Sequence, residues 1–129
     1  TKLWVAPPTK MDANQLTEEG HYNTFGTAGA RMEMPGCSLC MGNQAQIKEG
    51  ATAMSTSTRN FPNRLGKNTN VYLGSAELAA VCSKLGRIPT KAEYLADAAA
   101  INADGSKIYR YMNFNEMPDF VERAESVAA

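Results

Sequence analysis

The chain of 129 residues carries 13 basic and 13 acidic side chains, and 43% of its residues are hydrophobic. Because its formal net charge at pH 7 is zero, no overall field would attract it to nucleic acid or an anionic membrane, and no apolar run approaches the ~18 residues that a membrane helix needs. The length suits one compact domain, and the first residues lack the pattern of a secretory signal, so a cytoplasmic location is expected.

The first third of the chain predicts two short strands around one helix. Residues 3–6 form an apolar strand candidate that ends at Pro7, because proline cannot continue a β-ladder. Asp12, with Gln15 three positions later, resembles a capping box and predicts a short helix that ends at Gly20. A second strand is predicted at residues 31–34.

The middle of the chain predicts two further strands, at residues 51–55 and 70–73, on either side of a polar loop. Strands that are separated by helices favour parallel pairing. The predicted fold class is therefore α/β, with three layers in the order α/β/α and a short, mostly parallel sheet.

Two helices with clear start and stop signals follow. The first is predicted between Ser75 and Gly86, and its apolar face consists of Leu78, Val81, Cys82 and Leu85. The second opens at a capping box formed by Thr90 and Glu93 and ends near Asp104. Its predicted inner side carries Tyr94, Leu95, Ala98 and Ile101.

A last helix is predicted from Asn115 or Pro118 to Val127. The sequence thus predicts one α/β domain over residues 1–129. Its strand-rich part spans residues 1–73, and its C-terminal helices span residues 74–129.

Positive charge is concentrated in one stretch of this neutral chain. Between Glu33 and Glu77 the single acidic residue is Glu49, whereas four basic residues lie there, so this stretch carries a net charge of +3. Any anion site is therefore expected here, beside two closely spaced cysteines.

The three cysteines do not suggest a secreted scaffold held by disulfides, because their number is odd and Cys37 and Cys40 are only three positions apart. A C-x-x-C motif is compatible with a redox pair, half of a zinc site, iron–sulfur ligands or two structural cysteines. His21 is the one histidine, so a complete zinc site lacks ligands. Gly42 disfavours the helix that follows a thioredoxin-like pair, and an electron-transfer cluster expects four cysteines.

A second motif follows the predicted strand at residues 51–55. Its hydroxyl residues lie at the carboxyl end of a strand, where ligands bind in open α/β sheets. Arg59 and Arg64, five positions apart, suit a ligand with more than one carboxylate, because each guanidinium can bind a carboxylate through two hydrogen bonds. The alternative is that both arginines are ordinary surface residues.

Together the two motifs resemble the aconitase superfamily, and within it the bacterial B-type branch. The resemblance covers nearly the whole chain, as far as residue 115. The motifs that carry it are Cys37-Ser38-Leu39-Cys40-Met41-Gly42, Arg59-Asn60-Phe61-Pro62-Asn63-Arg64 and Ser75-Ala76-Glu77.

This resemblance implies the cluster-bearing domain of a hydro-lyase that interconverts citrate and isocitrate through cis-aconitate and extends to 2-methylisocitrate. It implies that Cys37 and Cys40 bind a [4Fe–4S] cluster and that Arg59 and Arg64 bind substrate carboxylates. Ser38, Thr58 and Asn60 would support the loop and the surroundings of the cluster. Thr58 departs from the asparagine that many members carry at this position.

The resemblance also implies what this segment lacks. The family places the third cluster cysteine and the catalytic base upstream, in the remaining aconitase domains. The other cysteine of this chain, Cys82, lies on an apolar helix face, where cysteine acts as a small hydrophobe. The chain is therefore expected to be a C-terminal portion of a larger aconitase and to be inactive alone.

Two other functions remain open. Related hydro-lyases act on other polycarboxylates, which the two arginines would bind equally well. The resemblance to B-type aconitases also implies messenger RNA as a partner of the cluster-free form. The sequence itself has no basic stripe with interleaved aromatic residues, which single-stranded RNA binding would favour.

Overall fold

The computed structural model describes residues 1–37, 39–42, 45–108, 118 and 121. The chain divides into two compact units, residues 1–88 and 89–129. The first unit contains all four described strands and both sequence motifs.

The first unit begins with a parallel strand pair that encloses two helices in sequence. Strand β1 (Trp4–Val5) pairs with β2 (Arg31–Met32), with Trp4 opposite Arg31. The Arg31 guanidinium lies 4.8 Å from the centroid of the Trp4 ring and forms an ion pair with Glu33. These contacts lie at the end of β2, shortly before the cysteine motif.

Helices α1 (Lys10–Glu18) and α2 (His21–Thr27) connect these strands. The prediction that Asp12 begins α1 is wrong by one turn. Thr9 is the N-cap, because its hydroxyl accepts from the Asp12 backbone N–H while the Asp12 carboxylate accepts from the Thr9 N–H at 3.1 Å. Gly20, in the left-handed region at φ 79°, separates the two helices. The sequence did not predict α2.

A second parallel pair joins β3 (Thr52–Ser55) to β4 (Asn70–Leu73), in a register that places Ser55 opposite Leu73. The backbone N–H of Gly74 donates to the Ser55 carbonyl at 3.0 Å and extends the pairing by one residue. The carboxyl ends of both strands therefore lie at one edge, from which the hydroxyl-rich stretch and helix α3 depart.

The helix predicted between Ser75 and Gly86 is confirmed as α3 (Ala76–Leu85). The Ser75 hydroxyl accepts from the Leu78 N–H, and Gly86 ends the helix in the left-handed region at φ 72°. Val81 and Cys82 are 5% and 8% exposed, so the predicted apolar face is the buried one.

The second unit is described over residues 89–108 and at 118 and 121. Helix α4 (Lys91–Ala103) has the predicted capping box of Thr90 and Glu93, and α5 (Gly105–Ile108) follows it. Ala98 is buried, but Leu95 is 50% exposed, so its predicted inward position is wrong. Only a narrow stripe of α4 is covered, and Leu95 lies beside it. The helix predicted at residues 115–127 lies outside the described residues apart from Pro118 and Val121.

The α/β class with short parallel sheets is confirmed. Over the described residues, the strands form two separate two-stranded sheets. None of the described helices has the length and apolar character needed to cross a membrane.

Candidate functional site

The cysteine loop, residues 36–42, begins where the β1–β2 pair ends. The Gly36 N–H donates to the Pro7 carbonyl at 2.8 Å, which ties the start of the loop to the chain that leaves β1. Gly36 and Gly42 have φ values of 122° and 69°, which glycine adopts without the steric cost of a side chain. The loop thereby turns sharply on both sides of the cysteines.

The thiols of Cys37 and Cys40 lie together within this loop. The pKa of Cys37 is raised, first by a hydrogen bond with the Cys40 side chain, then by burial and by the charge of Cys40. The positive charge of Arg59 acts in the opposite direction and lowers the pKa of Cys37. The structure therefore brings Arg59 within electrostatic range of the cysteine pair.

Arg64 is the most buried charged residue of the described chain, at 2% exposure. Its Nη1 donates to the carbonyl oxygens of Leu39 and Cys40, both at 3.1 Å, and its Nη2 donates to Ser55 Oγ at 2.9 Å. The guanidinium thus connects the cysteine loop to the end of β3.

This burial has an electrostatic cost for Arg64. Removal from water lowers the pKa of its guanidinium, while Cys40 raises it. The Nε of Arg64 is buried and makes no hydrogen bond. Among the described residues, every other buried side-chain nitrogen or oxygen has a hydrogen-bond partner. The three acceptors compensate part of the desolvation penalty.

The stretch between β3 and Arg64 is held by its own polar side chains. Ser55 Oγ accepts from the Ser57 N–H at 3.2 Å, and Ser57 Oγ accepts from the Arg59 N–H at 3.3 Å. Asn60 Nδ2 donates to the Val71 carbonyl at 3.0 Å. These bonds hold the loop beside β4 and leave the Arg59 side chain exposed.

The structure therefore brings together four of the residues predicted for the site, namely Cys37, Cys40, Arg59 and Arg64. Thr58 and Asn60 lie on the same loop and are exposed, whereas Ser38 lies outside the described residues. Cys82 is buried on α3. Within the described ranges, no three His, Cys, Asp or Glu side chains are placed to bind a metal ion together.

Sequence reasoning missed the partners of Arg64. The sequence marks Ser55 only as one of several hydroxyl residues, although its position at the end of the predicted strand is a usable signal. The carbonyl groups of Leu39 and Cys40 gave no signal, because backbone acceptors are the same at every position of a sequence.

The residues present fit a partial iron–sulfur site. Two adjacent thiols, one of them on the exposed Cys37, lie in a loop that glycines turn sharply, and C-x-x-C spacing is typical of cysteines that share a cluster. Two thiolates do not complete such a site, so the fit is that of a contributing segment.

An open depression of about 360 Å³ lies beside the loop. Its described lining carries no charged side chain, so it is not a carboxylate site by itself. The lining consists of Asn60, Phe61, Pro62, Asn63, Thr69, Asn70, Val71 and Tyr72.

Comparison with known sequences identifies the family. Residues 1–86 match the aconitase family (aconitate hydratase). The chain belongs to the aconitase family. The match covers two thirds of the chain and ends close to the boundary of the first unit, which contains the cysteine loop and both arginines.

Individual aconitase relatives match over nearly the whole chain. It is 63% identical to aconitate hydratase B of Pseudomonas aeruginosa over 124 residues, which are 96% of this chain and 14% of that protein. It is 59% identical to aconitate hydratase B of Escherichia coli over 98% of this chain and 15% of that protein. The chain thus spans about a seventh of the length of these aconitases.

More distant members of the family also match. The methanogen homoaconitase large subunit of Methanocaldococcus jannaschii is 39% identical over 92 residues, which are 70% of this chain and 22% of that subunit. The family therefore includes proteins whose names state different polycarboxylate substrates.

Proposed function

We propose that this chain is the part of an iron–sulfur hydro-lyase that supplies two cluster cysteines and two arginines for substrate carboxylates. The parent enzyme would interconvert citrate and isocitrate through cis-aconitate and would also dehydrate 2-methylisocitrate. The observation that carries this proposal is the proximity of the Cys37–Cys40 thiol pair to Arg59 and Arg64 within one folded unit.

Cys37 and Cys40 would hold the cluster as thiolates. When bound, a [4Fe–4S] cluster would supply an iron that acts as a Lewis acid on the substrate. The residues of this chain have a different task, since they bind and orient a polyanionic substrate beside that iron.

Arg59 is the residue best placed to bind a carboxylate. Its side chain is exposed, its charge reaches Cys37, and its loop is fixed by the bonds of Ser57 and Asn60. A guanidinium can grip a carboxylate through two parallel hydrogen bonds. Arg64 would bind a second carboxylate only after releasing some of its present acceptors.

Ser38, Thr58 and Asn60 would support the site without touching the reacting carbon. For Asn60 the support is a hydrogen bond to β4. The exposed Thr58 hydroxyl would donate toward the cluster in place of the amide that many family members carry there.

Exposed apolar residues around β4 support the presence of further aconitase domains. Phe61, Tyr72 and Leu73 are 44%, 50% and 43% exposed. Parallel sheets are normally covered on both faces, and two-stranded sheets need further packing for stability. The rest of a longer aconitase would cover these residues and supply the third cysteine and the base. The proposed location of that enzyme is the cytoplasm.

Anaerobic reconstitution of the complete natural protein tests this assignment. We expect four irons and four sulfides per chain for a [4Fe–4S] cluster, and a large loss of both in Cys37→Ser and Cys40→Ser. Cys82→Ala, which places no hydroxyl on the buried face of α3, is the control and should load normally. Equal loading of all three variants would contradict the proposed ligands.

Arg59 is tested by steady-state kinetics. Arg59→Lys keeps the charge but loses the bidentate geometry, so kcat/KM for isocitrate should fall by about tenfold to a hundredfold. Unchanged kinetics would exclude Arg59 from the substrate site.

The isolated residues 1–129 should form no cis-aconitate from citrate, and measurable turnover by them would refute a partial active site.

A panel of substrates distinguishes this function from that of related hydro-lyases. The reconstituted protein should prefer citrate and isocitrate over homocitrate and isopropylmalate, and the opposite order would assign it to another branch of the family. Only the resemblance to B-type aconitases supports messenger RNA binding, which is therefore not part of the proposal.

A further inference from the structure

The buried Arg64 is unusual because its acceptors belong to two separate segments. Leu39 and Cys40 lie 25 and 24 residues before it, in the cysteine loop, whereas Ser55 is the last residue of β3. One guanidinium therefore connects the loop that carries the thiols to the strand end from which the arginine loop departs.

The backbone at Arg64 contacts the same loop a second time. A Cβ on Gly42 would lie 1.6 Å from the Arg64 carbonyl oxygen, so the two backbones meet without space for a side chain. The next residue, Leu65, accepts from the Ile47 N–H at 2.7 Å. Arg64 thus contacts the cysteine loop through its side chain at Leu39 and Cys40 and through its backbone at Gly42.

We propose that Arg64 is a positioning residue that holds the cysteine loop in place before a cluster binds. Charge-assisted hydrogen bonds are shorter and stronger than neutral ones, and a cation at 2% exposure has no water to replace lost acceptors. Opening the loop would remove both carbonyl acceptors and leave that cation with Ser55 Oγ as its one acceptor among the described residues. These hydrogen bonds hold the loop closed through groups of this chain alone.

The geometry requires arginine in particular. Nη1 donates to two carbonyl oxygens while Nη2 reaches the Ser55 hydroxyl on another segment. Lysine has one nitrogen on a flexible stem, so it would satisfy the loop carbonyls or the hydroxyl but not the whole set. A lysine substitution retains the charge and removes the bridge.

The biological purpose of this bridge rests on the proposed function, but its existence is testable without a cluster. Amide hydrogen exchange would be measured by mass spectrometry on the cluster-free complete natural protein. Arg64→Lys should speed exchange in residues 36–42 by about tenfold or more, the change expected from losing one charge-assisted hydrogen bond.

Two controls separate positioning from general destabilisation. Arg59→Lys, on the same loop but exposed, should leave exchange in residues 36–42 unchanged. In Arg64→Lys the amides of α1 and α2 should exchange as in the natural protein, because the effect is local. Uniform acceleration across the first unit, or no acceleration in residues 36–42, would overturn the proposal.

A double-variant cycle tests whether Ser55 is the anchor. Ser55→Ala should speed exchange in residues 36–42 less than Arg64→Lys, and the double variant should add little, because both substitutions break one bridge. Additive effects would contradict a single bridge.

The link to cluster assembly has its own measurement. Arg64→Lys should slow the rise of cluster absorbance during anaerobic reconstitution, while Arg59→Lys should not. Normal assembly in Arg64→Lys would overturn the role in holding the thiols ready. Failure of the natural protein to take up iron would instead reject the proposed function, and the exchange data would still decide the position of the loop.

Discussion

Gly42 lies directly against the backbone carbonyl of Arg64. A Cβ at position 42 would be 1.6 Å from that oxygen and 2.8 Å from its carbon, far inside van der Waals contact. The φ of Gly42 is 69°. Two independent constraints therefore require glycine here, and both can be measured.

Gly42→Ala should be strongly destabilising. The left-handed conformation costs about 1–2 kcal/mol for a residue with a side chain, and overpacking typically adds about 1–3 kcal/mol. Gly50→Ala is the matched control, since Gly50 has φ 72° with no atom within 4 Å of its Cβ position. Urea unfolding should show a larger decrease in the free energy of unfolding for Gly42→Ala than for Gly50→Ala. Equal decreases would disprove the close contact between Gly42 and Arg64.

The reactivity of Cys37 should depend on both of its neighbours. Because its pKa is raised mainly by the Cys40 side chain, less thiolate is present at neutral pH and alkylation should be slower than for an ordinary thiol. Cys40→Ala should shift the pH profile of Cys37 alkylation downward. Arg59→Gln should shift it upward, because the Arg59 charge lowers that pKa. Alkylation of the cluster-free protein, quantified peptide by peptide, measures both shifts. If both substitutions shifted the profile in the same direction, the opposing effects of Cys40 and Arg59 on Cys37 would be contradicted.

Local signals in the sequence predicted much of the fold. The cap at Ser75, the capping box at Thr90 and the strand at residues 70–73 depend on neighbouring residues and were correct. The start of α1 was placed at Asp12 because carboxylates at N3 and at the N-cap look alike in a sequence, and only the Thr9 hydroxyl distinguishes them.

Long-range contacts could not be read in the same way. The sequence predicts that Arg64 lies near the cysteines, but its bonds to Leu39 and Cys40 depend on how two loops fold over each other. The division of the strands into two pairs likewise depends on packing across the chain, whereas periodicity describes one segment at a time.

Removing the N-cap of α4 should destabilise the second unit. Thr90→Ala loses the hydroxyl that accepts from the Glu93 N–H, which costs about 1 kcal/mol. Thr17→Ala is the control, because this exposed hydroxyl bonds only the Ala13 carbonyl of its own helix and alanine is the better helix former. Thermal unfolding should show a lower melting temperature for Thr90→Ala alone. An equal decrease for Thr17→Ala would argue against the cap.

Cys82 should be a structural residue. It is 8% exposed on the apolar face of α3, so Cys82→Ser places a hydroxyl there at a cost of about 1–3 kcal/mol. Ala80→Ser, at an exposed position of the same helix, should cost about 0.5 kcal/mol or less. Urea unfolding compares the two variants, and a cost for Cys82→Ser no greater than that for Ala80→Ser would mean that position 82 is accessible to water.

The hydrogen bond from Asn60 to Val71 has a consequence for solubility. The N–H groups of Asn70 and Gly74 donate to β3, and alternate residues of a strand direct their backbone groups to opposite sides. The Val71 carbonyl that Asn60 covers therefore faces away from β3. Uncovered strand edges recruit strands of other molecules and lead to aggregation. The loop that presents Arg59 therefore covers this edge of β4 at Val71, and loss of the Asn60 amide should favour self-association.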